Sequence, residues 1–202
     1  MGQHVEQAID ALRRGRTALL PTDTVYGLCA SPYREEPVAR LYRLKGRYEG
    51  QPTALLAASV DMLLECVPEL RGRAGVIARA LLPGPFTLVL PNPAARFRWL
   101  AGSRSQTIGV RVPDLPPEAR RVVERLGAGA ATSANEPGGP DPATLDDVPE
   151  RIRTACAAID AGRLPGTAST VIDFTDTEPR VLREGAASSA EALARVEQAL
   201  SS

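Results

Sequence analysis

The sequence predicts a single α/β domain. Segments with helical and with strand-like periodicity alternate along its 202 residues, and no repeat or low-complexity block interrupts them. With 44% hydrophobic residues, a chain of this length can bury one substantial core. In residues 5–14, Val5, Ala8, Ile9 and Leu12 take amphipathic-helix spacing, and Gly15 stops the helix. Residues 17–20 read as a short strand ended by Pro21. Residues 36–44 form a second helix, with Val38, Leu41 and Leu44 on one face and Gly46 just past its end.

Residues 53–57 then read as a buried strand, and residues 68–82 as a helix closed by Pro83-Gly84-Pro85. Strands are expected at 86–90 and 107–112, a helix at 118–126 and a small-residue strand at 128–132. The stretch SANEPGGPDP, from Ser133 to Pro142, has too much glycine and proline to be anything but a loop. A short helix at 148–155, strands at 157–160, 169–174 and 180–183, and a closing helix at 189–200 complete the series, with no sign of a second domain.

Composition excludes several classes. Twenty-four basic residues balance 24 acidic ones, and no apolar run approaches the roughly 20 residues that span a bilayer. With no signal-peptide pattern at the start, a cytoplasmic protein without membrane association is expected. Cys29, Cys66 and Cys156 are odd in number and widely spaced, which fits small buried thiols better than a disulfide framework. His4 is the only histidine, near an end expected to be mobile, so Ser-His-Asp triads and HExxH zinc sites fall away. Chemistry here must run on Lys, Arg, carboxylates, hydroxyls and backbone amides.

Twenty-three of the 24 basic residues are Arg, and the sole lysine is Lys45; asparagine occurs only at 92 and 135. Against that background, Lys45-Gly46-Arg47 stands out. A mobile ammonium and a forked guanidinium two residues apart can reach one polyanion. Thr132-Ser133-Ala134-Asn135 leaves a strand into the glycine-rich loop and offers hydroxyl, amide and backbone N–H groups suited to phosphate or carboxylate, or to an ordinary turn. In PTDTVYGL, from Pro21 to Leu28, Thr22 and Asp23 are either ligand groups or turn formers. Arg111 sits in an apolar strand and needs an anionic partner, internal or bound. Arg183 raises the same question, with Glu184 as a local candidate. No P-loop, GxGxxG or kinase signature is present.

Taken together and in order, seven stretches resemble the threonylcarbamoyl-AMP synthase family, also called YrdC-like proteins. They are PTDTVYGL, LYRLKGR, LLPGPFTLVL, TIGVRVP, TSAN, STVIDF and VLREGA, spread over residues 21–186. The resemblance implies a twisted open mixed sheet with helices packed on it and a concave ligand-binding face, all in one domain over 1–202. It implies an enzyme of the nucleotidyltransferase class that makes threonylcarbamoyl-AMP and pyrophosphate from L-threonine, bicarbonate or CO2, and ATP, for modification of tRNA.

By position, Lys45, Arg47, Ser133 and Asn135 correspond to the family's catalytic KxR and SxN pairs. Arg47, Gln51, Thr107, Ser133, Asp141 and Arg183 fall on the ATP side; Thr24, Arg111, Ala131 and Ser169 fall on the threonine side. Mg2+ is expected to arrive with the triphosphate, with no protein metal ligands identified. A separate transferase is expected to take the labile product. The chain departs from the family at Gln51-Pro52-Thr53, where Asn, His or Lys often precedes Pro-Leu, and at Leu56, where some members carry histidine. Two other readings fit the same residues: a carbamoyl-adenylate-forming enzyme, and a module that binds double-stranded RNA or the ribosome.

Overall fold

The computed structural model describes residues 2–48 and 50–201. Among these, nine strands form one mixed sheet in the order β7-β1-β2-β6-β3-β5-β4-β8-β9. The strands are β1 (Ala18–Pro21), β2 (Tyr26–Ala30), β3 (Ala54–Leu56), β4 (Phe86–Pro91), β5 (Thr107–Arg111), β6 (Gly129–Ser133), β7 (Ala157–Ala158), β8 (Thr170–Asp173) and β9 (Arg180–Arg183). Three adjacent pairs, β1/β7, β3/β5 and β4/β8, run parallel and the other five antiparallel.

Among the described residues, seven α-helices cover the sheet unevenly: α1 (Gly2–Arg13), α2 (Glu35–Lys45), α3 (Val60–Cys66), α4 (Arg73–Leu81), α5 (Pro117–Leu126), α6 (Glu150–Arg153) and α7 (Ser189–Ser201). Alternation along β4 and β5 shows why. Phe86, Leu88, Leu90, Ile108 and Val110 are buried in a core shared with α3, α4 and α7. The intervening Thr87, Val89, Thr107, Gly109 and Arg111 point to the other face. There, α1 and α5 bury only the part of the sheet around Cys29, Leu56 and Ala131. The rest of that face is left open.

The helices at 5–14, 36–44, 118–126 and 189–200 and most strands stand as expected. Five differences stand out. The helix expected at 68–82 is a 3-10 turn (Pro68–Leu70) followed by α4, because Gly72 leaves the helical region. Helix α3 was not foreseen, although Ser59 caps it by accepting from the Met62 amide at 3.1 Å. Strand β2 also escaped prediction. It lies between β1 and β6 with all five residues buried, so no polar alternation marks it. The helix at 148–155 shortens to α6, entered through Pro149, and the strand at 157–160 shortens to β7. His4 lies exposed within α1, and the three thiols are free, with Cys29 buried and the others half-buried.

One buried charge fastens the far end of the sheet. Asp173 is 1% exposed, and its Oδ2 accepts from Arg104 at 2.7 Å and Arg180 at 3.2 Å while Oδ1 accepts from Thr175 N and Oγ1. Burial pushes its pKa up, but the bonds from Thr175 and Arg104 more than offset this and hold it at about 2, against 3.8 unperturbed. A depressed carboxylate stabilises the fold above its unfolded pKa, and that contribution is lost as pH falls from about 4 to about 2. Asp173→Asn is therefore expected to cost about 2 kcal/mol in urea unfolding at neutral pH, with the difference from the parent vanishing near pH ~2. An undiminished difference in acid would contradict it.

Candidate functional site

The open face holds a cavity of about 560 Å³, a size suited to small molecules. Its floor is made of residues that lack side-chain bulk. Ala54 on β3 pairs in register with Ala131 on β6 and with Gly109 on β5, and Gly109 pairs with Val89 on β4. Glycine in a central strand weakens it, and here it lets a ligand approach the backbone. Among the described residues, five cationic side chains (Lys45, Arg47, Arg104, Arg111 and Arg183) line the walls, against two carboxylates, Glu136 and Asp141.

Lys45 and Arg47 are delivered by the end of α2. Gly46 takes the left-handed conformation at φ 70°, its N–H bonds Arg43 O, and Arg47 N–H reaches back to Tyr42 O at 2.9 Å. The reversal turns both cations toward β6. Lys45 is 5% exposed, and its Nζ donates to Ser133 O at 2.6 Å, Asn135 O at 2.9 Å and Asn135 Oδ1 at 2.8 Å. Three strong bonds match the three protons of an ammonium. Asn135 Oδ1 also accepts from Ser133 Oγ at 2.7 Å, and its Nδ2 closes the glycine-rich loop onto Gly139 O at 2.8 Å. Desolvation first, then the neighbouring Arg47, lowers the Lys45 pKa to about 8, with Asp141 partly offsetting them. Arg47 donates to Thr132 Oγ1, Gln51 Oε1 and Pro52 O.

A model of the Sua5, YciO and YrdC proteins, described as telomere recombination, matches residues 10–185. The chain belongs to the Sua5/YciO/YrdC family. Threonylcarbamoyl-AMP synthase of Halorhodospira halophila is 35% identical over 162 residues, which cover 80% of this chain and 84% of that protein. A structure of Pyrococcus abyssi Sua5 complexed with L-threonine matches with a TM-score of 0.85 at 34% identity, covering 95% of this chain and 56% of that one. Escherichia coli YciO matches with a TM-score of 0.81 at 27% identity, covering 93% and 92%. This chain thus spans little more than half the length of the P. abyssi protein.

Eleven of the twelve residues singled out from this Sua5/YciO/YrdC sequence line the cavity: Lys45, Arg47, Gln51, Thr107, Arg111, Ala131, Ser133, Asn135, Asp141, Ser169 and Arg183. Thr24 does not. It is fully buried behind the wall, where its Oγ1 accepts from Arg111 Nη2 at 3.1 Å, while Thr22 faces the cavity. Thr22 is a turn former: its hydroxyl donates to Val25 O at 2.7 Å and lies 3.0 Å from Thr24 Oγ1. The partner that Arg111 required is internal, Asp23 Oδ1 at 2.8 Å. Arg183 is held by Ser169, donating from Nε and Nη2 to its carbonyl and from Nη2 to its hydroxyl; Glu184, its expected partner, bonds Ser189 instead. Asp141 accepts from the Ala168 amide at 3.2 Å, which ties the glycine-rich loop to the Ser169 segment.

Arg104, Glu136 and Thr87 were not foreseen; Asp23, read from the sequence as a ligand group or a turn former, stands behind the cavity as the ion-pair partner of Arg111. Thr87 had a signal, since Thr87/Val89 and Thr107/Gly109/Arg111 alternate with buried apolar residues and so mark a face left to solvent; Arg104, in the loop before β5, had none. Gly102 serves the site from outside: at φ 57°, it packs where any Cβ would collide with the backbone of Gly50 and Gln51, beside Arg47. Among the described residues, no group of three or more His, Cys, Asp or Glu side chains is placed to hold a metal ion.

Proposed function

We propose that this chain is a threonylcarbamoyl-AMP synthase, condensing L-threonine, bicarbonate or CO2, and ATP into threonylcarbamoyl-AMP and pyrophosphate. The observation that carries the reading is one cavity uniting the Lys45/Arg47 cations, the Ser133–Asn135 loop and Arg111 over a floor of small residues. The named relatives support it. In the first step the threonine nitrogen forms a bond to the carbon of CO2 and gives up a proton, yielding a carbamate. A carbamate oxygen then attacks the α-phosphorus of ATP, and the bond to the β-phosphate oxygen breaks to release pyrophosphate.

Neither step demands a strong base, but both concentrate negative charge. Arg47 and Arg183, held by neutral oxygens, keep their full charge for the phosphates, and Lys45 adds its field while fixing the Ser133–Asn135 loop beside them. Gln51, Thr107 and Asp141 border that end, and Ser169 and Ala131 the amino-acid end with Arg111, which takes the threonine carboxylate. Thr24 acts from behind, by holding Arg111. Mg2+ enters with the triphosphate as part of the substrate. The product is a mixed anhydride prone to hydrolysis, so a threonylcarbamoyl transferase working on tRNA is its natural consumer.

Pyrophosphate release by pure protein tests this directly. It is expected to require ATP, bicarbonate and L-threonine together. Release that ignores threonine would overturn the reading, and release on carbamoyl phosphate with ATP would replace it with carbamoyl-adenylate formation.

A further inference from the structure

The five cations of the cavity wall fall into two groups according to what holds them. Lys45, Arg47 and Arg183 are fastened by carbonyl, amide and hydroxyl oxygens; among the described residues no carboxylate is bonded to any of them, and Asp141 acts on Lys45 only from a distance. Arg104 is fastened by Asp173 and Arg111 by Asp23. The Asp173 pair stands at the rim, with the Arg104 side chain 45% exposed. The Asp23 pair is inside: both side chains are 12% exposed. At that depth an ion pair is weakly screened, so its charges cancel locally rather than being diluted by water.

The geometry of Asp23 is that of an ionised carboxylate. Oδ1 accepts from Arg111 Nη2 at 2.8 Å and Oδ2 accepts from the Asp114 backbone N–H at 3.2 Å, so both oxygens act as acceptors. Thr24 Oγ1 takes a second bond from the same Nη2; neither Nη1 nor Nε is tied down in this way, and Nε is buried without a partner. Arg183 lies within electrostatic reach of both Arg111 and Arg47. Without Asp23, positive charge would therefore run unbroken from Lys45 to Arg111, and a phosphate-bearing ligand would have no electrostatic reason to prefer one end.

We propose that Asp23 determines ligand specificity at the Arg111 end of the cavity: it cancels the guanidinium charge, so that a zwitterionic amino acid is taken there and phosphate-type anions are left to Lys45, Arg47 and Arg183. Asp23 does not line the cavity and works through Arg111, so it is a positioning and specificity residue rather than a catalytic one. The inference rests on the reading above in one respect, that an amino acid occupies the Arg111 end. An amino acid carries one carboxylate and one ammonium, and its net charge of zero suits a neutralised pair. The hydrogen-bonding end of Arg111 still orients the carboxylate, while the cancelled field gives a free anion little to gain.

The test uses calorimetric titration of L-threonine into the full chain with and without inorganic phosphate, for the parent, Asp23→Asn and Asp23→Glu. In the parent, phosphate is expected to weaken ATP binding and leave the threonine Kd unchanged. In Asp23→Asn, which keeps an oxygen for Arg111 but not the charge, phosphate is expected to raise the apparent threonine Kd tenfold or more and to raise the Tm of the variant. Asp23→Glu, which restores the charge, is expected to restore indifference to phosphate. A purely structural Asp23 would lower Tm without creating phosphate competition, and threonine binding in Asp23→Asn as indifferent to phosphate as in the parent would overturn the proposal. Should Asp23→Asn not fold, Asp23→Ser, which retains a hydroxyl acceptor, carries the same comparison. Failure of the functional reading looks different: the parent itself binds no threonine, and the phosphate-dependent rise in Tm of the Asp23 variant still reports on the charge.

Discussion

Lys45→Met is expected to lower threonine-dependent pyrophosphate release by about 100-fold or more, the usual consequence of removing one preorganised charge-bearing donor. Methionine matches the unbranched stem as far as Cε but leaves Ser133 O, Asn135 O and Asn135 Oδ1 without the donor that gathers them within 2.6 to 2.9 Å of one nitrogen. Lys45→Arg keeps the charge and is expected to fail almost as badly. A planar guanidinium cannot direct three protons from one nitrogen toward three converging oxygens. The loss should be shared with the loop, so combining Lys45→Met with Asn135→Ala is expected to cost little more than either alone. Additive losses would mean that Lys45 acts without the loop.

The same lysine sets a pH dependence whose two readouts move in opposite directions. Its folded-state pKa of about 8 lies below the unperturbed 10.5. Between these values the unfolded chain binds the extra proton, so its contribution to stability rises with pH. ATP affinity moves the other way, falling as pH rises through about 8 and Lys45 loses its charge. In Lys45→Met this fall is expected to disappear, as measured by ATP titration between pH about 7 and about 9.

Gly109→Leu is expected to abolish ligand binding and turnover, by about 100-fold or more, while leaving the Tm nearly unchanged. A Cβ at this position meets Ala54 Cα at 3.7 Å and Ala54 Cβ at 3.9 Å, ordinary contacts, so the backbone accepts a side chain. That side chain must then rise from the floor into the space between Ala54 and Val89, where the ligand lies under the proposed reading. Gly109→Ala, adding only the Cβ, should retain most binding. A fully active Gly109→Leu would place the ligand elsewhere, whereas a large drop in Tm would show that Gly109 serves the fold.

Two features of the site were readable from residues because composition is uneven. In a chain that writes its cations as arginine, the sole lysine marks a place where an ammonium is required, and Asn135 accepts from it. Gly46 could be read as a helix stop, and it is the residue that aims Lys45 and Arg47. Arg111 announced its need for an anion, but not which one, because Asp23 is 88 residues away and only sheet register brings them together. Thr24 was misplaced for a related reason: a turn puts Thr22 toward the cavity and Thr24 behind it, and sequence order does not say which. β2 was invisible because a fully buried strand carries no alternation. The helix at 68–82 is shorter than its pattern suggests because Gly72 is a break, and an interior glycine is often tolerated in a helix.

The claim that this one cavity joins threonine, a one-carbon acid and a nucleotide is tested most directly by mass spectrometry of the product. Pure protein is incubated with ATP, L-threonine and bicarbonate, unlabelled or carrying 13C. The expected result is an adenylate with the mass of threonylcarbamoyl-AMP, heavier by one mass unit with labelled bicarbonate and absent without threonine. An adenylate lacking threonine or lacking the label, or ATP hydrolysed with no adenylate formed, would contradict it.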